Sequence, residues 1–328
     1  MENKGLCGLK NFGNTCFINS AIQCLSNTED FTKYVLSNKF VLDINNNNNK
    51  ALCLAYKQLI NAIWNNNGVI TPITFHRVLN LLCIRNKLQI NFGNFGQNDV
   101  QEFIEFILST MHDILSKEVN INISGNIKND LDKIAYDSMK SWKQFFKNSY
   151  SKIIEMFYGQ IIYTTIDKND NTNIISREFQ PNCFFTLPIP KNNCSLYDCW
   201  DLYTSDEEFM FNDKECVRNI KAWCLPNNLI ICLNRFRNNL SKNNSIVDFP
   251  LENLNLEKYI IGYEKPKSIY NLYGICAHSG SVHGGHYTSY CKHINGNWYH
   301  YNDEKVFQIN NINTIINNRA YILFYKKV

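Results

Sequence analysis

The sequence lacks any uninterrupted run of about eighteen apolar residues, the length that a membrane-spanning helix requires. Its first residues, Met1 to Gly5, also lack the apolar segment of a secretory signal peptide. The 13 cysteines are odd in number and scattered, which is not the spacing of a disulfide framework. These absences predict reduced thiols, no membrane contact, and a location in the cytosol, the nucleus or both.

The chain also lacks a strong excess of charge of either sign. Its formal net charge is +4, and no run of lysine and arginine is interleaved with aromatic residues. A nucleic-acid partner is therefore not expected. Asparagine is abundant, in runs such as residues 45–49 and 65–67, which we interpret as polar spacers in surface loops.

The 328 residues, 45% of them hydrophobic, suffice for one large domain or two small ones, and no internal repeat is visible. Residues 98–115 predict the clearest helix, with Asn98 as its N-cap and Gln101 completing a capping box. Shorter helices are expected at residues 51–64 and 74–82, and a polar, partly helical stretch at residues 125–153. Strand patterns then follow, at residues 157–165, 174–187, 229–233, 270–277, 287–293, 297–301 and 320–325. Helices first and strands afterwards indicate an α+β fold.

Cys16 lies where a polar loop enters a predicted helix. Apolar residues follow it at helical spacing, at Ile18, Ala21, Ile22 and Leu25. A thiol in the first turn lies at the positive end of the helix dipole and near unpaired backbone N–H groups, which favour its thiolate form. Asn11, five residues upstream, can fold back as a donor toward an oxyanion. The alternative is a small buried hydrophobe, which we expect for Cys24.

Candidate general bases lie about 270 residues later. They are His278, His283 and His286. Histidine suits this role because its ordinary pKa lies near neutrality. Gly284 and Gly285 allow close backbone approach and expose the imidazole of His286 at a strand entrance. Two strands joined around Asn295-Gly296 then bring Asn302 and Asp303 close to His286, where either residue could orient the imidazole.

Together these segments resemble the ubiquitin-specific protease family of deubiquitinating enzymes. Residues 8–25 are similar to the first signature box, with Ile18 where methionine is common, and residues 278–290 and 298–306 are similar to the second. Residues 96–103 are a third match. The resemblance implies a papain-like cysteine protease core within one catalytic domain. It would comprise a helical thumb at about residues 1–155, β fingers at about 156–228 and a β palm at about 229–328.

The resemblance implies a role for each reactive residue. Cys16 would be the nucleophile and His286 the base, with His278 as supporting structure and His283 in a solvated turn. Asn302, four residues after Trp298, matches the position that orients the base. Family members carry either aspartate or asparagine there, and an amide stabilises imidazolium less than a carboxylate. Asp303 is therefore expected as a second contributor. Asn11 would donate to the oxyanion alongside the Cys16 backbone N–H.

Further residues are expected to bind substrate. Helix capping and the helix dipole explain Asp99 without any ligand. The resemblance adds contacts of Gln97, Asp99 and Gln101 with an extended ubiquitin tail, in which Asp99 pairs with a tail arginine. Phe17 and Tyr287 would flank a narrow channel for the diglycine of the tail, where any larger residue would clash.

Metal binding is a point of departure from the family. Many relatives hold structural zinc in the fingers with two CxxC pairs, but this chain contains no CxxC, and residues 164–179 contain no cysteine. An alternative is that four thiolates converge, from Cys194, Cys199, Cys216 and Cys224. We expect instead no zinc and no other cofactor, with the finger tips held by packing and sheet pairing.

The sequence thus predicts a thiol-dependent hydrolase that cleaves after the C-terminal glycine of ubiquitin, with ubiquitin and its conjugates as partners. The alternatives are the same chemistry on another ubiquitin-like modifier, an inactive ubiquitin-binding module, and a papain-like general peptidase. Intact Cys16, His286 and Asn302 disfavour the inactive module, and motif detail disfavours the general peptidase. The hydrolase hypothesis requires the sulfur and the imidazole to meet across a cleft.

Overall fold

A computed structural model describes residues 4–45, 48–88, 90, 92–94, 96–190, 192–236, 241–281 and 284–328. Helices dominate the first half of this described chain. They are α1 (Cys16–Ser26), α2 (Glu29–Leu36), α3 (Asn38–Asp43), α4 (Ala51–Asn65), α5 (Ile73–Arg85), α6 (Val100–Leu115), α7 (Asp130–Phe146), α8 (Lys152–Phe157) and α9 (Leu196–Tyr203).

Strands dominate the second half. The strands are β1 (Cys7–Leu9), β2 (Gly68–Ile70), β3 (Gly159–Asp167), β4 (Asp170–Asn182), β5 (Phe184–Pro188), β6 (Cys194–Ser195), β7 (Glu207–Phe211), β8 (Lys214–Cys224), β9 (Asn228–Asn234), β10 (Val247–Asp248), β11 (Leu254–Asn255), β12 (Ile269–Ser281), β13 (Gly284–Lys292), β14 (Trp298–Asn302), β15 (Lys305–Gln308) and β16 (Ala320–Lys327). Helices first and sheets afterwards confirm the predicted α+β fold, whereas the limits of thumb, fingers and palm stay predictions.

The largest sheet holds the second half of the site. Its strand order is β15-β14-β13-β12-β16-β9-β5. The short strand β11 lies outside this order and pairs antiparallel with β12. β12, β13, β14 and β15 pair antiparallel, so Ser279 lies opposite His286, and Asn302 lies opposite Lys305 across the last turn. A separate sheet, in the order β4-β3-β8-β7, extends from the region between α8 and β9.

Helix α1 lies at the centre of the larger core, against β12, β13 and α6. The apolar spacing predicted one buried face, but every residue of α1 is buried, because helices cover one side and the large sheet covers the other. Cys24 is fully buried, as expected for a packing residue. Its sulfur lies 3.6 Å from that of Cys276 on β12.

The other predicted helices are present, with one correction at the start of α6. Asp99, not Asn98, is the N-cap, since its carboxylate accepts from Gln101 N at 2.6 Å and the helix begins at Val100. The Asn98 side chain instead donates to Gly96 O at 3.1 Å. A carboxylate at the N-cap interacts more strongly with the helix dipole than an amide does, which accounts for the shift by one residue.

The strand predictions needed two corrections. Residues 174–187 form two strands, β4 and β5, which belong to different sheets and separate at Cys183. Residues 207–224 form β7 and β8, which the sequence did not indicate, because polar side chains on both faces leave no clear alternation. Within the ranges given above, no α-helix combines the length and apolar character needed to cross a membrane.

Candidate active site

The loop before α1 fixes the position of Cys16. The Asn11 carboxamide oxygen accepts from Thr15 N at 3.1 Å and from Thr15 Oγ1 at 3.2 Å, while Phe12 N donates to Thr15 Oγ1 at 3.1 Å. Gly13 has φ +114°, in the left-handed region that glycine tolerates. α1 then begins at Cys16 itself, so the thiol lies beside the unpaired N–H groups of the first turn.

The imidazole of His286 reaches the same point from the sheet. His286 lies near the start of β13, where the neighbouring Cys16 is the main cause that raises the pKa of its imidazole. A Cβ atom on Gly285 would lie 2.2 Å from His278 Nε2, so only glycine allows β13 to pass this close to His278. The sulfur and the imidazole that the hydrolase hypothesis requires to meet are therefore close enough to interact.

Both candidates for the third position approach the imidazole. His286 Nε2 donates to Asn302 Oδ1 at 2.7 Å, which leaves Nδ1 as the ring nitrogen available to the thiol. Asp303 Oδ2 lies 3.8 Å from the same Nε2, too far for a hydrogen bond but close enough for charge attraction. Asn302 thus orients the ring, and Asp303 contributes charge.

Asn11 lies next to this pair, but one of its donors is in use. Asn11 Nδ2 donates to Asp303 Oδ2 at 2.8 Å, and its backbone N donates to Glu304 Oε1 at 3.1 Å. A carboxamide nitrogen carries two hydrogens, so one remains for an oxyanion. The oxyanion role of Asn11 stays a prediction.

Their pKa values distinguish His278 from His286, the two candidate bases that the structure describes. The pKa of His286 is raised from 6.5 to about 9, chiefly by its hydrogen bond with Cys16, against the effect of burial and with help from Asn302 and Asp303. Burial, with Lys242 and His286 nearby, lowers the pKa of His278 to about 4, so it stays neutral. His286 is therefore the one of the two that can carry a proton at neutral pH, and His283 lies outside the described residues.

A groove leads away from Cys16 along α6. A cavity of about 620 Å³ holds Cys16, and a second of about 780 Å³ continues from it, with Glu102 and Glu105 lining both. We call these two cavities the α6 groove. Its described lining contains no lysine or arginine, whereas Asp99 joins the two glutamates on the same helix. The groove thus favours an extended, cationic chain.

The predicted substrate residues at the start of α6 all line this groove. Asp99 Oδ2 accepts from Tyr321 OH at 2.9 Å and from Tyr287 OH at 3.4 Å, and burial raises its pKa. Gln101 Oε1 accepts from Cys232 Sγ at 2.8 Å. Gln97 lies near Gly284, on the opposite wall. Their contacts with substrate stay predictions.

The two predicted channel aromatics differ in what they present to the groove. Tyr287 packs its ring 4.6 Å from that of His278 and directs its hydroxyl toward Asp99. Phe17 is only 1% exposed, and its ring packs edge-to-face on Phe103 at 5.7 Å. Both residues line the groove, Phe17 with a ring packed into the core and Tyr287 with its hydroxyl directed toward Asp99.

The four finger cysteines do not converge on one point. Cys194 and Cys199 bring their sulfurs to 3.8 Å, but Cys216 and Cys224 lie at opposite ends of β8, on the order of 26 Å apart. Among the residues described, no group of three or more His, Cys, Asp or Glu side chains could hold a metal ion.

The sequence reasoning missed three residues that the structure brings to the site. Asn19 donates to Asp303 Oδ1 at 2.7 Å, and Glu102 and Glu105 line the α6 groove. A signal for Asn19 was present, since a polar residue within the apolar part of α1 needs a buried partner. The glutamates follow Asp99 at intervals of three residues, which puts them near one face of the helix.

Comparisons with known proteins agree with this arrangement. A family model described as ubiquitin carboxyl-terminal hydrolase matches residues 7–325. Ubiquitin carboxyl-terminal hydrolase 2 of Homo sapiens is 31% identical over 346 residues, covering 98% of this chain and 55% of that protein. Ubiquitin carboxyl-terminal hydrolase 21 of Rattus norvegicus is 30% identical over 359 residues, covering 98% and 61%. The chain spans about half the length of the curated relatives it matches.

Solved structures include a similar fold. A chain of the SAGA DUB module of Ubp8, Sgf11, Sus1 and Sgf73, bound to monoubiquitin, aligns with a TM-score of 0.74 and 22% identity. The alignment covers 100% of this chain and 70% of that one. At this identity the likeness shows the fold.

Proposed function

The chain belongs to the ubiquitin carboxyl-terminal hydrolase family, and on this premise we propose that it is a thiol-dependent deubiquitinase. It hydrolyses the isopeptide or peptide bond after the C-terminal glycine of ubiquitin, and its partners are ubiquitin and ubiquitin conjugates. The observation that carries the proposal is the proximity of Cys16 to His286, together with the hydrogen bond of His286 to Asn302, at the end of the α6 groove.

The first half of the proposed reaction forms a thioester. The Cys16 thiolate attacks the scissile carbonyl carbon, and the resulting oxyanion accepts from the Cys16 backbone N–H and the second Asn11 Nδ2–H. His286 then gives its Nδ1 proton to the departing lysine amine. Because Asn302 holds the Nε2–H, the proton that moves is the one facing the sulfur.

The second half releases ubiquitin. His286, now neutral, takes a proton from a water molecule, and the hydroxide attacks the thioester carbonyl. Collapse of the tetrahedral intermediate frees the carboxylate of ubiquitin and returns the thiolate beside an imidazolium. The reaction uses groups of this chain and water, and we propose no cofactor for it.

The α6 groove supports ubiquitin as the substrate. Its carboxylates match the arginines of an extended ubiquitin tail. Gly284 borders Gln97 so closely that a Cβ there would lie 3.1 Å from Gln97 Oε1, which indicates a narrow passage near the thiol. A passage of this kind admits a diglycine and excludes chains with larger residues before the scissile bond.

The test is a ubiquitin probe with a C-terminal electrophile, combined with hydrolysis of fluorogenic ubiquitin. We expect a covalent adduct on Cys16 and turnover of the fluorogenic substrate. If the probe forms no adduct on any cysteine, the assignment of Cys16 as the nucleophile is contradicted. Faster turnover of another ubiquitin-like modifier would redirect it to that modifier, and cleavage of casein without cleavage of ubiquitin conjugates would favour a general peptidase.

The raised pKa of His286 predicts the pH dependence of the reaction. We expect kcat/KM to fall on the alkaline side with a midpoint near pH 9, because His286 must be protonated to protonate the leaving amine. Asp303→Asn is expected to move this midpoint to lower pH, since it removes the charge 3.8 Å from Nε2.

The control for this pH profile is Glu304→Gln. Glu304 accepts from Asn11 N, but its carboxylate forms no ion pair with His286 among the described residues. Because the folded pKa of His286 lies above 6.5, the stability from its pairing is complete below that pH and is lost as the pH rises through about 9. Thermal unfolding should therefore be followed at each pH. A midpoint that does not move in Asp303→Asn would contradict the charge role.

The glutamates of the α6 groove provide a test of tail binding. Glu102→Lys is expected to raise KM for ubiquitin substrates roughly 5- to 30-fold with little change in kcat, which corresponds to about 1–2 kcal/mol. The effect should shrink at high salt, because the groove is open to solvent. Glu118→Lys makes the same charge change at an exposed residue that does not line the groove, and should leave KM unaltered. Equal KM values for the two variants would count against the groove as the tail site.

For localisation, we keep the proposal of a cytosolic or nuclear protein. It rests on the odd number and scattered spacing of the 13 cysteines, which suit a reducing compartment.

A further inference from the structure

Asn19 is a polar residue in the middle of the buried helix α1. It lies three residues after Cys16 and is 2% exposed. Its Nδ2 donates to Asp303 Oδ1 at 2.7 Å and to Leu9 O at 3.2 Å. A buried amide in this position costs free energy unless it is hydrogen-bonded, and here its nitrogen reaches a carboxylate beside the general base.

Asp303 is held at both oxygens by neutral amides. Asn19 binds Oδ1, and Asn11 binds Oδ2 at 2.8 Å. The backbone is tied as well, since Leu9 N donates to Asp303 O at 2.8 Å, which closes a ring of hydrogen bonds between α1, β1 and the β14–β15 turn. Asp303 has φ +49°, a conformation that a non-glycine residue adopts at some cost, and these contacts hold it there.

The amides of Asn11 and Asn19 do not neutralise the negative charge of Asp303, so the imidazole of His286 is the group that can balance it. Neither amide carries a charge, and in the ion pairs of the described residues His286 is the one cationic partner of Asp303. The Asp303 side chain is 10% exposed and that of His286 is 44% exposed, so water screens the attraction only in part. The direction in which the carboxylate points therefore decides how strongly it acts on His286.

We propose that Asn19 is a positioning residue of the active site. It holds the Asp303 carboxylate beside the His286 imidazole and, through the same carboxylate, fixes the Asn11 amide at the mouth of the site. Asn19 itself touches neither the substrate nor the imidazole. The effect on turnover rests on the proposed function, whereas the effect on His286 concerns this chain alone.

Other titratable groups face His286 and set the background for this effect. Cys16 lies on α1, His278 on β12 and His300 on β14. Burial lowers the pKa of both other histidines, so they stay neutral at the pH of interest. Asp303 is thus the carboxylate among the neighbours of the imidazole, and it is the group that Asn19 holds.

The experiment compares Asn19→Ala with Gln23→Ala. Gln23 is the matched control, because it lies one turn further along α1, is equally buried, and donates to Cys7 O at 2.8 Å without reaching Asp303. Both variants lose a buried hydrogen bond to β1 and should lower Tm to a similar extent. In Asn19→Ala the protonation midpoint of His286, followed by NMR of the imidazole, should fall, by less than the roughly one pH unit expected for complete loss of a nearby charge. In Gln23→Ala it should stay near the wild-type value.

Kinetics give the second measurement. Asn19→Ala is expected to lower kcat by roughly 10- to 100-fold with little change in KM, because the binding groove is untouched while the reacting groups lose their alignment. Gln23→Ala should retain kcat. If Asn19→Ala does not fold, Asn19→Ser, whose hydroxyl is too short to hold the carboxylate, replaces it in both measurements.

The NMR titration uses no ubiquitin, so it judges the proposal separately from the substrate. A shifted His286 midpoint in a protein that does not cleave ubiquitin would support the positioning role and refute the proposed function. An Asn19 variant that matches Gln23→Ala in both the His286 midpoint and kcat would overturn the positioning role, and Asn19 would then be a structural residue of α1.

Discussion

Replacing Cys16 with alanine is expected to lower turnover of fluorogenic ubiquitin by roughly 10⁴- to 10⁶-fold, the range seen when a catalytic nucleophile is removed. The substitution deletes a single sulfur at the start of α1, where the backbone is held by the Asn11 and Thr15 contacts and not by the thiol. The fold and the α6 groove should therefore survive, and the affinity for ubiquitin should remain close to that of the wild type. Rapid-mixing fluorescence and calorimetry measure the two quantities.

The control is Cys24→Ala, on the same helix. Cys24 is fully buried against Cys276 and Cys291 and has no access to the groove, so its loss should affect packing and Tm but leave most of the turnover. An electrophilic ubiquitin probe should label the Cys24→Ala protein and not the Cys16→Ala protein. Labelling of Cys16→Ala at another thiol, with turnover retained, would show that the nucleophile had been misassigned.

The sequence was sufficient to predict that Cys16 and His286 lie close together, because each has a strong local pattern. Cys16 combines a polar loop with an apolar-periodic helix, and His286 combines paired glycines with an alternating strand. Local signals of this kind also predicted α4, α5 and α6, whose apolar spacing is clear. The predicted order of helices before strands followed from the hydrophobic pattern, which changes from helical spacing to strand alternation along the chain.

What the sequence did not predict depends on contacts between distant segments. Only the family resemblance favoured Asn302 over the adjacent Asp303, since it is the pairing of β13 with β14 that brings Asn302 to the imidazole while Asp303 turns toward α1. Asn19 becomes part of the site through a partner 284 residues away. Asp99, the N-cap of α6, also accepts hydrogen bonds from two tyrosines of the large sheet. A local pattern can show that a buried polar residue needs a partner, but it does not identify that partner.

Gly8 on β1 shows how packing between distant segments of the chain supports the site. Gly8 on β1 passes so close to the β14–β15 turn that a Cβ on it would lie 2.2 Å from Glu304 O and 2.4 Å from Glu304 C. These are backbone atoms, so no side-chain rotation can relieve the overlap. Gly8→Ala must displace either β1 or the turn that carries Asn302 and Asp303, by about 1 Å.

We expect Gly8→Ala to lower kcat roughly 100-fold, the loss that a displacement of this size causes at a catalytic group, and to cost about 1–3 kcal/mol of stability. KM should change little, because the carboxylates of the α6 groove lie on another element. Gly68→Ala is the control. Gly68 pairs with Cys7 on β1 and has φ +94°, but no atom lies within 4 Å of its added Cβ, so it should lose stability and keep kcat. Wild-type kcat in a folded Gly8→Ala protein would mean that the turn tolerates displacement, and the alignment of Asp303 would then not limit the reaction.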